Sequence, residues 1–156
     1  MSATRHGAES DCEAIRPGLI GQPANTVSSL ALVIAAVPIA RAGRRRGQPA
    51  WTAVALASAF EGVGSVAYHG PGGRRAKVLH DAGLVVLTTS IGIAVRREGH
   101  PVARRPLAAT LGATAFLLHA LSRTGGPLCS CRSPLQGHAV FHVLAAAALT
   151  AAAEGR

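Results

Sequence analysis

The chain has 156 residues, of which 49% are apolar, 3% aromatic and 15% charged. A soluble domain carries about 25% charged residues, so a soluble enzyme is disfavoured, and the abundance of Ala, Val, Leu and Ile disfavours intrinsic disorder. The net charge of +9 lacks the interleaved aromatics of a nucleic-acid surface, so no nucleic-acid partner is expected.

Residues 1–23 read as an extramembrane segment, with Arg5, His6, Glu9, Asp11, Glu13 and Arg16. It has no apolar run of signal-peptide type, so helix one is expected to act as its own targeting signal. No charged residue falls between Arg16 and Arg41, and the apolar part, 24–40, predicts a first membrane span. Further spans are predicted at 50–68, with one acid at Glu61, and at 78–95, with His80 and Asp81 at its start. The last two are predicted at 106–122 and 135–153, the latter opening on His138 and His142. A soluble Ala-rich bundle is the plain alternative, but it would need a charged face on each helix. The fold predicted is all-α, a polytopic transmembrane bundle of about five spans forming one domain, 24–153, in the lipid bilayer. Gly-, Pro- and Arg-rich turns join the helices at 41–49, 70–77, 96–105 and 123–134.

Counting Lys and Arg orients the bundle. One face holds Arg41, Arg44, Arg45, Arg46, Arg96, Arg97, Arg104, Arg105 and Arg156. The other holds Arg5, Arg16, Arg74, Arg75, Lys77, Arg123 and Arg132. The tight Arg cluster after helix one favours the N-terminus outside and the C-terminus in the cytoplasm.

Ionisable groups inside a span are costly and usually functional. The parity of five spans gathers Ser65, His69, Asp81, His138 and His142 at one depth near one surface. His138 and His142 are four apart and share a helix face, as do Ser65 and His69. Three histidines so placed make a three-nitrogen site in which Zn2+ keeps a fourth position open for water. Asp81 is then a candidate general base, and Ser65 a candidate partner for the water or the oxyanion. The plain readings are interfacial or packing histidines, and an Asp81 that offsets the positive end of its helix. Glu61 lies on one stripe with Ser65 and His69, as a supporting acid or a protonated group satisfied by a neighbouring helix. His119 reads as interfacial, and His80 as pointing away from the site.

The order Cys12-Glu13, then Gln22 through Ser28 (QPANTVS), then Gly62 through His69 (GVGSVAYH), then His80-Asp81, then His138-Ala-Val-Phe-His142 resembles the alkaline ceramidase family. It is similar, too, to the wider superfamily of zinc-dependent membrane hydrolases that includes adiponectin/progestin receptors and haemolysin III-like proteins. The resemblance covers roughly residues 12–143. It implies zinc on His69, His138 and His142, with Asp81 acting on the water and Ser65 on the oxyanion. The reaction implied is hydrolysis of an N-acyl (sphingo)lipid amide. The family is typically seven-helical, and loss of two helices between Asp81 and His138 keeps the parity. Some members bind calcium near the N-terminus. Here Gln22 and Ile15 stand where an acid and an amide are expected, so calcium is not predicted. Glu13 and Asn25 are expected instead to hydrogen-bond the N-terminal segment over the site.

Cys12, Cys129 and Cys131 all fall on the outer side of this topology. A disulfide from Cys12 to Cys129 or Cys131 is expected in an oxidising compartment, with free thiols or an adventitious metal as alternatives. The rival to the hydrolase is a non-enzymatic zinc-containing membrane receptor or sensor. A metal transporter would want ionisable residues along a path, not clustered at one end. Lipid identity and oligomeric state are not encoded in any motif.

Overall fold

The computed structural model describes residues 6–99 and 105–156. Arg5 and Arg104, both used in the charge count, lie outside the described residues. Among those residues the protein is all-helical, with no strand. A 3-10 turn, Glu9–Asp11, precedes α1 (Pro23–Arg45), α2 (Ala50–His69), α3 (Arg74–Glu98), α4 (Pro106–Leu121) and α5 (Gly137–Glu154). Four of these, α1, α2, α3 and α5, are long and apolar enough to cross a membrane. The shorter apolar helix α4 has 16 residues, about 24 Å at 1.5 Å per residue. It nonetheless carries the chain from the Glu98 end of the bundle to the end where Cys129 meets Cys12.

The helices start and stop where local chemistry dictates. Pro occupies the first turn of α1 and of α4, where a missing N–H costs nothing. Gly99 and Gly155 close α3 and α5 in left-handed conformation. The packing order runs α3–α2–α1–α5–α4 through the main interfaces. The core is built from small side chains around Trp51, Val54, Leu32 and Ile39. Small residues allow backbones to approach closely in lipid, where packing rather than water expulsion drives association. Gly62 faces α1, where an added Cβ would lie 2.6 Å from Val33 Cγ2. Gly64 faces α3, where it would lie 3.1 Å from His80 Cα. The segment before α1 folds back over the end of the bundle where α2 stops and α5 starts. Gly21 N–H and Gln22 N–H donate to the carbonyls of Gly70 and His69, at 2.8 and 2.9 Å.

Candidate metal centre

The stripe predicted on α2 holds: Glu61, Ser65 and His69 are all buried. On α5, Gly137 seats the first turn against the end of α4, where any Cβ would collide with Ser122. That contact brings His138 and, one turn on, His142 against α2. His69, His138 and His142 are 0%, 6% and 2% exposed, and one nitrogen from each lies within 4.8 Å of the others. His138 Nε2 is 3.2 Å from His69 Nε2. His142 Nε2 faces Ser65 Oγ at 3.4 Å.

Each ring is held through its other nitrogen. Gln22 Nε2 donates to the carbonyls of Ala8 and Glu13, at 2.9 and 2.8 Å. This fixes the amide so that Gln22 Oε1 faces His69 Nδ1 at 2.7 Å. An amide oxygen only accepts, so His69 carries its proton on Nδ1 and presents a bare Nε2. Ser28 Oγ lies 3.0 Å from the Asn25 carbonyl and 2.9 Å from His142 Nδ1. Both bonds form only if Ser28 donates to the carbonyl and accepts from His142 Nδ1–H. His138 Nδ1 meets His119 Nδ1 at 3.0 Å; with His119 as the acceptor of that bond, His138 Nε2 is bare as well.

Three bare imidazole nitrogens converging in a buried site repel one another unless a cation sits among them. This donor set fits a metal ion of the zinc, copper, nickel or iron kind. The outward bonds through Nδ1 are those that orient histidine ligands in metal proteins.

Ser65 stands beside the three nitrogens, as expected. Ser29 Oγ contacts the Asn25 carbonyl at 2.7 Å and Ser65 Oγ at 2.8 Å. Both contacts are hydrogen bonds only if Ser65 donates to Ser29. Ser65 then turns lone pairs, not its proton, toward the site.

Asp81 is not brought in, contrary to the sequence expectation. It pairs with Lys77 one turn earlier, at 2.7 Å, with its side chain 52% exposed. The inner face of α3 is the line Ala76, His80, Gly83, Leu87, Ala94, which the glycines at 64 and 83 draw tight against α2. Asp81, one residue off that line, is turned about 100° away. His80 takes the inward place instead, contrary to the expectation that it points away. Its ring stacks on Tyr68 at 4.7 Å, and Nδ1 lies 2.7 Å from Glu61 Oε1. Glu61 therefore serves His80 and none of the three clustered histidines.

The N-terminal segment forms a lid. Glu13 carboxylate accepts from the N–H groups of Ala24 and Asn25, both at 2.9 Å, capping α1. Asn25 Nδ2 donates to Gln22 Oε1 at 3.2 Å. Tyr68 Oη donates to the Gly7 carbonyl at 2.5 Å, and His6 contacts the Gly70 carbonyl at 2.9 Å. Asp11, in the same lid, is held above the usual carboxylate range by its burial. Cys12 is bonded to Cys129, leaving Cys131 free and exposed.

Gln22, Ser28 and His119, which contact the three rings at Nδ1, are the residues that sequence reasoning passed over. Gln22 and Ser28 sit inside recognised motif strings without an assigned role. His119 had one usable signal: helix parity places it at the depth of His138. No family model, curated protein or solved structure matches the chain.

Proposed function

We propose that this chain is an integral-membrane, zinc-dependent amidohydrolase of the ceramidase type, acting on an N-acyl lipid. The observation that carries the reading is the buried convergence of His69, His138 and His142, each ring held by a separate partner at Nδ1. Zinc held by these three side chains supplies Lewis acidity toward a carbonyl and toward water. Ser65, with its proton committed to Ser29, accepts a hydrogen bond from the attacking water and aims it. The lid limits bulk water at the site, which strengthens every polar interaction there.

An open apolar groove of about 470 Å³ supports a lipid substrate. It runs between α1, α4 and α5, and Ala31, Ala35, Leu111 and Ala146 are among its lining residues. Ala31 lies about one turn below Ser28, and Ala146 one turn below His142. An acyl chain lying in this groove brings its amide to the histidines. The multi-pass helices are the membrane anchor, with the lid outside and the C-terminus in the cytoplasm. The Cys12–Cys129 bond supports that orientation, since disulfides persist in oxidising compartments.

The outward position of Asp81 favours a second reading, a metal-containing membrane receptor or sensor without hydrolytic activity. Metal content and N-acyl lipid hydrolysis, measured on detergent-purified wild type and His138→Ala, separate the two. About one zinc per chain with hydrolysis, both lost in the variant, is the expected result. Zinc without hydrolysis of any N-acyl lipid selects the sensor. No metal in freshly purified wild type overturns both.

A further inference from the structure

Three sulfurs meet where the lid crosses the loop before α5. Cys131 Sγ lies 3.8 Å from Cys12 Sγ and 3.7 Å from Cys129 Sγ, the two members of the existing bond. The nearly equal distances put the free thiol broadside to that bond, in contact with both sulfurs. Hydrogen bonds hold the segment to the loop independently of the disulfide. Ala14 N–H donates to the Cys131 carbonyl at 3.0 Å, and Cys12 N–H to Thr124 Oγ1 at 3.1 Å. Thr124 in turn donates through Oγ1 to the Glu9 carbonyl at 2.6 Å. The segment and the loop therefore stay in register while the sulfur bond changes.

We propose that Cys12, Cys129 and Cys131 form a thiol–disulfide exchange site, with Cys131 as the nucleophile that moves the clasp from Cys129 to itself. Cys131 gives its proton to water, and its thiolate pair forms a bond to Cys12 Sγ. The Cys12–Cys129 bond breaks, its pair leaves on Cys129 Sγ, and that thiolate takes a proton from water. One disulfide is lost and one formed, so no oxidant or reductant is consumed. Attack must come along the axis of the bond, so the exposed Cys131 side chain has to turn out of its broadside position before it reacts. Attack on Cys129 Sγ instead would bridge two cysteines one residue apart, a small ring, and release Cys12. The open product keeps the lid untied, whereas the Cys12–Cys131 product keeps it clasped. The site is thus a clasp with two interchangeable anchors, holding the segment that carries Glu13 and Gln22. It is independent of the chemistry at the histidines.

The test is the position of the free thiol in the purified full-length chain. The protein is held near the ordinary thiol pKa of about 8.5, quenched in acid and trapped with a maleimide. Fragmentation mass spectrometry then locates the label. Label on both Cys129 and Cys131 is expected, and label confined to Cys131 overturns the proposal. Cys129→Ser is expected to contain no free thiol, because Cys12 bonds Cys131; two free thiols in the folded variant overturn the proposal as well. Should that variant fail to fold, the wild-type label distribution decides alone.

Discussion

At the scale of single residues, the centre depends on side chains that touch no reacting atom. Gln22 sets which nitrogen of His69 carries the proton, and it does so because two carbonyls fix its amide. Gln22→Ala removes that control, and metal affinity is expected to fall about 10–100-fold, the range for partners of metal-bound histidines. Competition with a chromophoric chelator measures it, and unchanged affinity would mean that His69 is oriented by packing alone. His119→Ala acts on His138 in the same way and is expected to weaken binding comparably. Asp81→Asn is expected to do neither. It removes an exposed ion pair to Lys77, and surface changes of this kind stay within about 0.5 kcal/mol. A large loss of metal or turnover in Asp81→Asn would show that α3 rotates in the working protein. The three histidines and Ser65 were legible because spacing by four and helix parity both select them. Depth alone puts Asp81 beside the histidines, whereas its register on α3 turns it outward to Lys77. The stripe Ala76, His80, Gly83, Leu87 already reads as the packed face of α3.

At the scale of elements, the positive end of α1 governs how the lid is attached. Glu13 brings a full negative charge to two N–H groups in the first turn of α1, where the helix dipole favours an anion. The carboxylate is buried, so Glu13→Ala leaves those donors without a protein partner. A loss of about 1–3 kcal/mol is expected, read as a lower unfolding temperature in detergent, with Glu13→Gln losing less. A melting temperature equal to wild type would mean that water replaces the carboxylate. The sequence pointed to Glu13 and Asn25 as lid residues but gave no hint that the acid caps a helix. The two belong to different elements, and only the fold back onto α1 brings them together. The spans at 24–40 and 135–153 were legible from charge-free runs, and that at 50–68 from a run broken only by Glu61. The observed ends of α1 and α5, at Arg45 and Glu154, extend past the apolar windows, because Arg and Glu are good helix formers beyond the hydrocarbon edge.

At the scale of the whole molecule, the two ends of the bundle are built on different chemistry. The histidine end is covered by the lid, whereas the opposite end is tied by one buried carboxylate. Glu98 accepts from Trp51 Nε1–H at 2.7 Å, pairs with Arg46 at 3.2 Å and pairs with Arg105. The same two arginines donate to the last carbonyls of α5, Arg46 to Ala153 at 2.7 Å and Arg105 to Ala152 at 2.6 Å. Arg105 also lies over the Trp51 ring, 5.6 Å from its centroid. The knot touches an end of all five helices. It gives a second meaning to the arginine clusters, which the sequence presents as loop charges that orient the chain. Arg46 and Arg105 supply the margin of that count, and both also bind the single carboxylate of Glu98. Removing Glu98 leaves two cations facing each other without their anion, a change that costs about 3–5 kcal/mol for buried pairs. Glu98→Ala is therefore expected to lower the unfolding temperature more than Glu13→Ala, with Glu98→Gln in between because the amide oxygen keeps the Trp51 bond. Below that temperature, metal stoichiometry should stay at the wild-type value, since no ligand of the centre or its Nδ1 partner touches the knot. Wild-type melting in Glu98→Ala would assign the cohesion of the bundle to lateral packing of its small residues. Loss of metal at temperatures where the helices persist would show instead that the two ends are coupled through α5, whose first turn carries His138 and whose last carbonyls the arginines hold.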